Sequence, residues 1–197
     1  MKITSQMVKE LRDKTNAGMM DCKRALNETG GDLEKSVDLL RQKGLAVAQK
    51  RADRATCEGV VECYIHAGSK LGVMVEVGCE TDFVAKTDDF AAFARDIAMH
   101  IAASSPVAIT REEVPADLID REREIYRAQA LDSGKPENIV DKIISGKIEK
   151  YLAEICLLDQ KFVKNPDITV QDLLNELIAK MGENISIKRF ARFQIGA

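Results

Sequence analysis

Cys57, Cys63, His66 and Cys79 are the residues whose types could hold a metal or run thiol chemistry, and they fall within one short stretch of chain. Structural zinc sites are built from close ligand pairs, taken twice over. Only Cys63 and His66 are closely spaced, and on a strand residues three apart point to opposite faces. Ordinary buried thiols are therefore expected, with no metal and no cofactor assigned. Acid–base and nucleophilic catalysis have no better footing. His66 falls at a strand end and His100 on a helix, in unlike settings. The sequence has no G-x-S-x-G, no G-x-G-x-x-G and no Walker A stretch. The carboxylate pairs Asp88-Asp89 and Glu112-Glu113 suit helix starts and solvated faces. No catalytic residue is assigned, and an enzyme is not expected.

A different kind of chemistry is on offer at Glu80-Thr81-Asp82-Phe83-Val84-Ala85-Lys86. This segment joins an apolar strand to an amphipathic helix, and Phe83 and Val84 fall outside the core stripe that starts at Phe90. An aromatic beside a carboxylate on a polar loop is suited to wedging into a partner's surface. The competing reading is that Phe83 staples the start of the helix to the sheet; spacing does not separate the two. Met19-Met20, after the break at Asn16-Ala17-Gly18, offer adaptable apolar contact surface or else plug a small helical core. Met181-Gly182-Glu183-Asn184 reads as a helix end with a left-handed cap.

Three short helices precede that loop, over residues 1–44. Thr4 or Ser5 caps the first, Cys22, Ala25 and Leu26 line the second up to Gly30-Gly31, and Asp32 caps a third that Gly44 closes. Residues 45–55, rich in Ala, Lys and Arg without an apolar stripe, read as a solvated helical linker. Val60–Ile65 and Leu71–Val77 form a hairpin turning at Ala67-Gly68-Ser69, with Leu71, Val73, Val75 and Val77 on one face. Thr87 caps a helix with Phe90, Phe93, Ala94, Ile97, Ala98 and Ile101 as its stripe. Helices follow over 117–132, closed by Gly134, from Pro136 to Ser145, closed by Gly146, and over 148–158; another runs from the Thr169 cap to Gly182. Ile185–Ile195 reads as a strand whose alternation changes phase near Arg189, the mark of a bulge or an edge. The expected class is α+β, with a three-helix domain (1–44), a linker (45–55) and a core domain (56–197) whose three-stranded antiparallel sheet is packed by helices.

The whole chain has 197 residues, 45% of them hydrophobic and 31% charged, the composition of a globular protein. Its 29 basic against 32 acidic residues leave a net charge of −3, so direct nucleic-acid binding by phosphate neutralisation is not expected. No apolar run approaches the roughly 18–20 residues of a membrane span, and no signal peptide is recognisable. Five cysteines without a tight framework fit reduced thiols, so a cytoplasmic, soluble protein is expected.

Three stretches together resemble the elongation factor Ts family, the guanine-nucleotide exchange factors of elongation factor Tu. They are Thr15-Asn16-Ala17-Gly18-Met19-Met20-Asp21-Cys22-Lys23-Arg24-Ala25-Leu26, preceded by Lys9-Glu10-Leu11-Arg12; Glu76-Val77-Gly78-Cys79-Glu80-Thr81-Asp82-Phe83-Val84-Ala85; and Lys180-Met181-Gly182-Glu183-Asn184-Ile185. The resemblance spans almost the whole chain and implies a ubiquitin-associated-like fold for the three-helix part. It also implies contact roles toward the GTPase for Arg12, Met19, Met20, Met181 and Gly182. Thr81, Asp82, Phe83 and Val84 match the family segment that dislodges the partner's Mg²⁺, and His66 matches a histidine that approaches another domain of the partner. Longer members carry a second core subdomain and a coiled-coil insertion, for which this chain is expected to have no room. Short members imply a homodimer, for which an edge at 185–195 would serve; Ala191 stands where some of them have a cysteine. The alternative function is a protein-binding adaptor or holdase without exchange activity.

Overall fold

The computed structural model describes residues 3–15, 17–133 and 136–196. The expected helix breaks at Asn16 and Gly134 lie outside these. Helices α1 (Ser5–Thr15), α2 (Met19–Glu28) and α3 (Leu33–Arg51) open the chain, followed by strands β1 (Glu58–Ile65) and β2 (Leu71–Cys79). A one-turn helix α4 (Asp82–Ala85) leads into α5 (Asp88–Ser104), then a 3-10 turn (Arg111–Glu113), α6 (Ala116–Asp132) and α7 (Glu137–Ile155). The small strands β3 (Lys161–Phe162) and β4 (Asn165–Thr169), helix α8 (Val170–Met181) and strand β5 (Ile185–Gln194) complete an α+β fold.

The antiparallel sheet has the order β1-β2-β5. Alternation along β2 turns Val73, Val75 and Val77 to one face, where the stripe Phe90, Phe93, Ala94, Ile97 and Ile101 of α5 covers them. Val170, Leu174, Leu177 and Ile178 of α8 close the same core. Capping is strong at both helices. Thr87 accepts from Phe90 N, and Thr169 with Asp172 forms a reciprocal capping box. The phase change expected in the last strand is a bulge: Val77 opposes Ile187 but Glu76 opposes Arg189, leaving Lys188 unpaired and restoring Phe190 to the inner face. At the corner end of the hairpin Gly59 has φ +147°, and a Cβ there would lie 2.1 Å from the Val77 carbonyl oxygen, so no side chain fits.

Two helices run through the glycines expected to end them. Gly44 lies inside α3, which continues to Arg51. A Cβ at Gly44 would meet Ala179 of α8 at 3.6 Å, an ordinary contact, so this glycine faces a neighbouring helix and is not a cap. Nor is the 45–55 segment wholly solvated, because Ala48 is buried in the main core. Gly146 lies inside α7, where the stripe Val140, Ile144, Ile148 and Leu152 continues past it on the opposite side. Burial of a continuous i, i+4 stripe outweighs the roughly 1 kcal/mol that one interior glycine costs.

That stripe belongs to a helical hairpin whose second helix the sequence reading divided in two at Gly146. Helices α6 and α7 pack chiefly on each other as a helical hairpin. Its core is Val140, Ile144, Ile148 and Leu152 with Ala130 across from them, and Ala108, Val114 and Cys156 at the base. The parallel bridge Ala108 to Cys156 and backbone bonds from Val107 N to Ile155 O (2.8 Å), Leu157 N to Ala108 O (2.9 Å) and Leu158 N to Ile109 O (3.1 Å) tie that base to the segment after α5. The strands β3 and β4 were also unforeseen; at two and five residues without apolar alternation, they carry no periodic signal.

Candidate functional site

One turn of helix decides what the Thr81–Val84 segment presents. Thr81 stands at the N-cap in extended backbone (φ −130°, ψ 155°), and α4 begins at Asp82. Successive helical residues project about 100° apart. Phe83 therefore faces outward, 81% exposed, while its neighbour Val84 turns into the main core at 8%. The sequence reading set both outside the core; Val84 is a core residue and anchors the turn. Phe83 lacks the burial that a hydrophobic staple requires, so the staple alternative is removed.

Asp82 accepts a hydrogen bond from Lys86 Nζ at 2.6 Å, one helical turn on. That bond, reinforced by the ammonium charge, holds the Asp82 carboxyl below its ordinary value and raises Lys86. Both groups face solvent, so their attraction is weak and screened. The carboxylate stays charged and reachable.

The segment is fastened to the turn after α8 by two carboxylates. Thr81 donates from its backbone N to Glu183 Oε2 at 3.0 Å and from Oγ1 to Glu183 Oε1 at 2.7 Å. Asn184 N donates to Glu80 Oε1 at 2.6 Å. The Asn184 amide is buried and donates to the backbone carbonyls of Arg54 (2.7 Å) and Ala52 (3.3 Å). Glu80 also meets Arg54 at 3.3 Å and Arg51 at 3.7 Å. Its carboxyl is held below the usual range, first by the Asn184 N–H and then by the Arg54 guanidinium. Three segments distant in sequence, the end of α3, the β2–α4 corner and the α8–β5 turn, thus converge.

Among the residues singled out from the sequence, Thr81 to Val84 and the Met181-Gly182 turn are brought together by these bonds. Gly182 has φ +72° and donates to Ile178 O at 2.9 Å, the left-handed cap expected of it. Met181 is half-buried against the main core, with Thr87 Oγ1 4.0 Å from its sulfur. Arg12, Met19 and Met20 stand apart on the α1–α2 pair. Met19 and Met20 are 58% and 64% exposed and take no part in the small core of Val8, Leu11, Cys22, Ala25 and Leu26, which removes the plug alternative. His66 is exposed beyond the far end of β1, its Nδ1 3.0 Å from the Tyr64 hydroxyl. The length of β2 separates it from Thr81, on the order of 25 Å at a strand's rise per residue.

Glu80, Glu183 and Asn184 were not singled out individually, although they stand in the stretches that were. An acid followed by Asn just past a left-handed glycine is the signal that could have flagged them. The thiols differ from expectation too: Cys22, Cys79 and Cys156 are buried, with burial pushing each pKa up, but Cys57 and Cys63 are exposed. Among the described residues no three His, Cys, Asp or Glu side chains gather as a metal site, and no helix is long and apolar enough to cross a membrane.

The family model described as Elongation factor TS matches residues 1–197. The chain is 73% identical over 197 residues to elongation factor Ts of Desulfotalea psychrophila, each chain being covered completely. It is 65% identical over 194 residues to elongation factor Ts of Desulfosudis oleivorans, covering 98% of each chain. To that of Carboxydothermus hydrogenoformans it is 64% identical over 194 residues, covering 98% of this chain and 89% of the relative.

Proposed function

This chain belongs to the elongation factor Ts family, the guanine-nucleotide exchange factors of translation, and on that footing we propose that it binds elongation factor Tu carrying GDP and speeds replacement of GDP by GTP. The observation that carries this reading is Phe83, exposed on a one-turn helix whose other face is fixed by Val84. An exposed aromatic beside a solvent-facing carboxylate suits insertion between elements of a partner's nucleotide site. Thr81 to Val84 act there by displacing Mg²⁺. In P-loop GTPases that ion bridges phosphate oxygens and protein ligands, so its loss loosens the hold on GDP. The factor and the nucleotide then expel one another by linkage: each binds the GTPase less tightly when the other is present. Such a cycle needs no covalent chemistry, and cellular nucleotide levels decide which nucleotide refills the site.

Residues 1–44, a ubiquitin-associated-like module, dock the GTPase through Arg12, Met19 and Met20, while Met181 and Gly182 support the wedge from beside it. His66 reaches a second region of the partner. Neither nucleic acid nor membrane is a partner in this reading, and the site of action is the cytoplasm. A homodimer is also proposed, supported by the outer sheet face, where Val61, Cys63, Ile65, Met74 and Phe193 are exposed together.

The test is release of a fluorescent GDP from elongation factor Tu. Catalytic amounts of the chain are expected to speed it manyfold. Binding without faster release would favour the adaptor reading.

A further inference from the structure

The distances at the corner assign a role to a residue outside the wedge, and the assignment rests on the exchange reading above. We propose that Glu183 is a positioning residue for exchange: its carboxylate fixes Thr81 and thereby aims Phe83. Thr81 is the N-cap of α4, so its backbone sets the direction in which the helix starts. Phe83 lies two residues further on and has little contact of its own to hold it, being 81% exposed. Whatever orients it must act through the cap at one end and Val84 at the other.

Glu183 is the only side chain in the described structure that accepts both the Thr81 N–H and the Thr81 hydroxyl, at 3.0 and 2.7 Å. Two bonds from one carboxylate to one residue fix rotation as well as distance, and charged acceptors make them stronger than neutral ones. Thr81 makes no side-chain cap bond to its own helix, so its hydroxyl is held by Glu183 instead. The carboxylate is itself held from behind. It follows Gly182 in the left-handed cap of α8, and the next residue, Asn184, is bonded to Glu80, Ala52 and Arg54. A displacement of Glu183 by the partner at Met181 or Gly182 is therefore transmitted to Thr81 and on to Phe83.

Three single variants and one double variant test this with the full chain. Glu183→Ala removes both bonds. Glu183→Gln keeps the shape: its amide oxygen accepts the Thr81 N–H, and its NH₂ donates to the Thr81 hydroxyl. The readouts are the maximal rate of GDP release at saturating factor, the half-saturating concentration, and amide exchange at Thr81 and Phe83. The expected result for Glu183→Ala is a fall of about tenfold in the maximal rate, the scale on which small misplacements act, with a half-saturating concentration near that of wild type. Faster amide exchange at Thr81 and Phe83 accompanies it, and Glu183→Gln restores most of the rate. Thr81→Val, which loses the hydroxyl alone, gives a smaller loss that adds nothing in the Glu183→Ala background. The proposal is overturned if Glu183→Ala releases GDP at the wild-type maximal rate. It is equally overturned if only the half-saturating concentration rises, or if Thr81→Val and Glu183→Ala losses multiply. An inactive wild type defeats the exchange reading instead, and a wild type that is active beside an unaffected Glu183→Ala defeats the positioning role alone.

Discussion

Phe83 at the β2–α4 corner rests on a support assembled from three distant parts of the chain, whereas the arm of α6 and α7 supports itself. At the corner the bonds run from Thr81 to Glu183 and from Asn184 to both Glu80 and Arg54. In the arm a stripe at i, i+4 spacing along α7 packs against α6, and the pair joins the body through a short run of backbone bonds at its base. The two designs differ in what they can tolerate. A self-contained hairpin can lose or gain structure without disturbing its neighbours. A corner built from distant segments holds one side chain in one place only while the whole fold is intact.

Ile144→Asp should break that comparison most severely if it is wrong. It buries a charge in the arm core, at a cost of several kcal/mol. Amide exchange is expected to accelerate throughout α6 and α7, while β2 and α5 keep their protection. Loss of protection in the sheet would show that the arm and the body fold as one unit.

Val84→Ala probes the other side. Removing two buried methyl groups beneath the corner should cost about 2 kcal/mol. In a chain of this length that lowers the melting temperature by roughly 4–8 °C. An unchanged melting curve would mean that α4 is not anchored through this residue.

Met20→Ala sharpens the comparison at a third place, where an exposed side chain touches little of its own fold. The half-saturating factor concentration in GDP release should rise about fivefold, the equivalent of roughly 1 kcal/mol of binding. Thermal stability should not change, and a drop in melting temperature would place Met20 in the fold and not at a contact.

The smallest effect concerns the junction between the two regions. His100 on α5 is fully buried, its Nε2 2.8 Å from Gln160 Oε1, and its Nδ1 accepts from Val163 N at 3.2 Å. Burial pushes its pKa below the ordinary value, the Gln160 bond opposing this only in part. With the folded value depressed, the unfolded chain binds more protons between the two pKa values. This contribution is therefore complete above about pH 6.5 and is lost as the pH falls from there through the folded pKa. Urea midpoints should drop between about pH 7.5 and about pH 5.5, and His100→Gln should flatten the drop. A pH slope unaltered by that substitution would assign it to other groups.

Much of this was legible in the sequence where the signal is local. The alternation Val73, Val75, Val77, the stripe from Phe90 to Ile101 and the caps at Thr87 and Thr169 all follow from spacing and capping chemistry. The bulge was visible as a phase change because one extra residue shifts every later side chain to the opposite face. What stayed hidden was tertiary. Gly44 and Gly146 look like helix ends until Ala179 and the continuing stripe of α7 are seen. Phe83 and Val84 look alike in sequence, and only the direction of one helical turn separates the exposed residue from the buried one. The clamp from Glu183 to Thr81 spans 102 residues, beyond the reach of any local pattern.

The most direct test is GDP release from elongation factor Tu by Phe83→Ala beside the wild-type chain, with melting temperatures measured on the same samples. Loss of an exposed aromatic anchor should lower the maximal release rate by roughly thirtyfold, about 2 kcal/mol, while the melting temperature stays where it was. A variant that releases GDP as fast as wild type would contradict the wedge, and with it the role given to the corner.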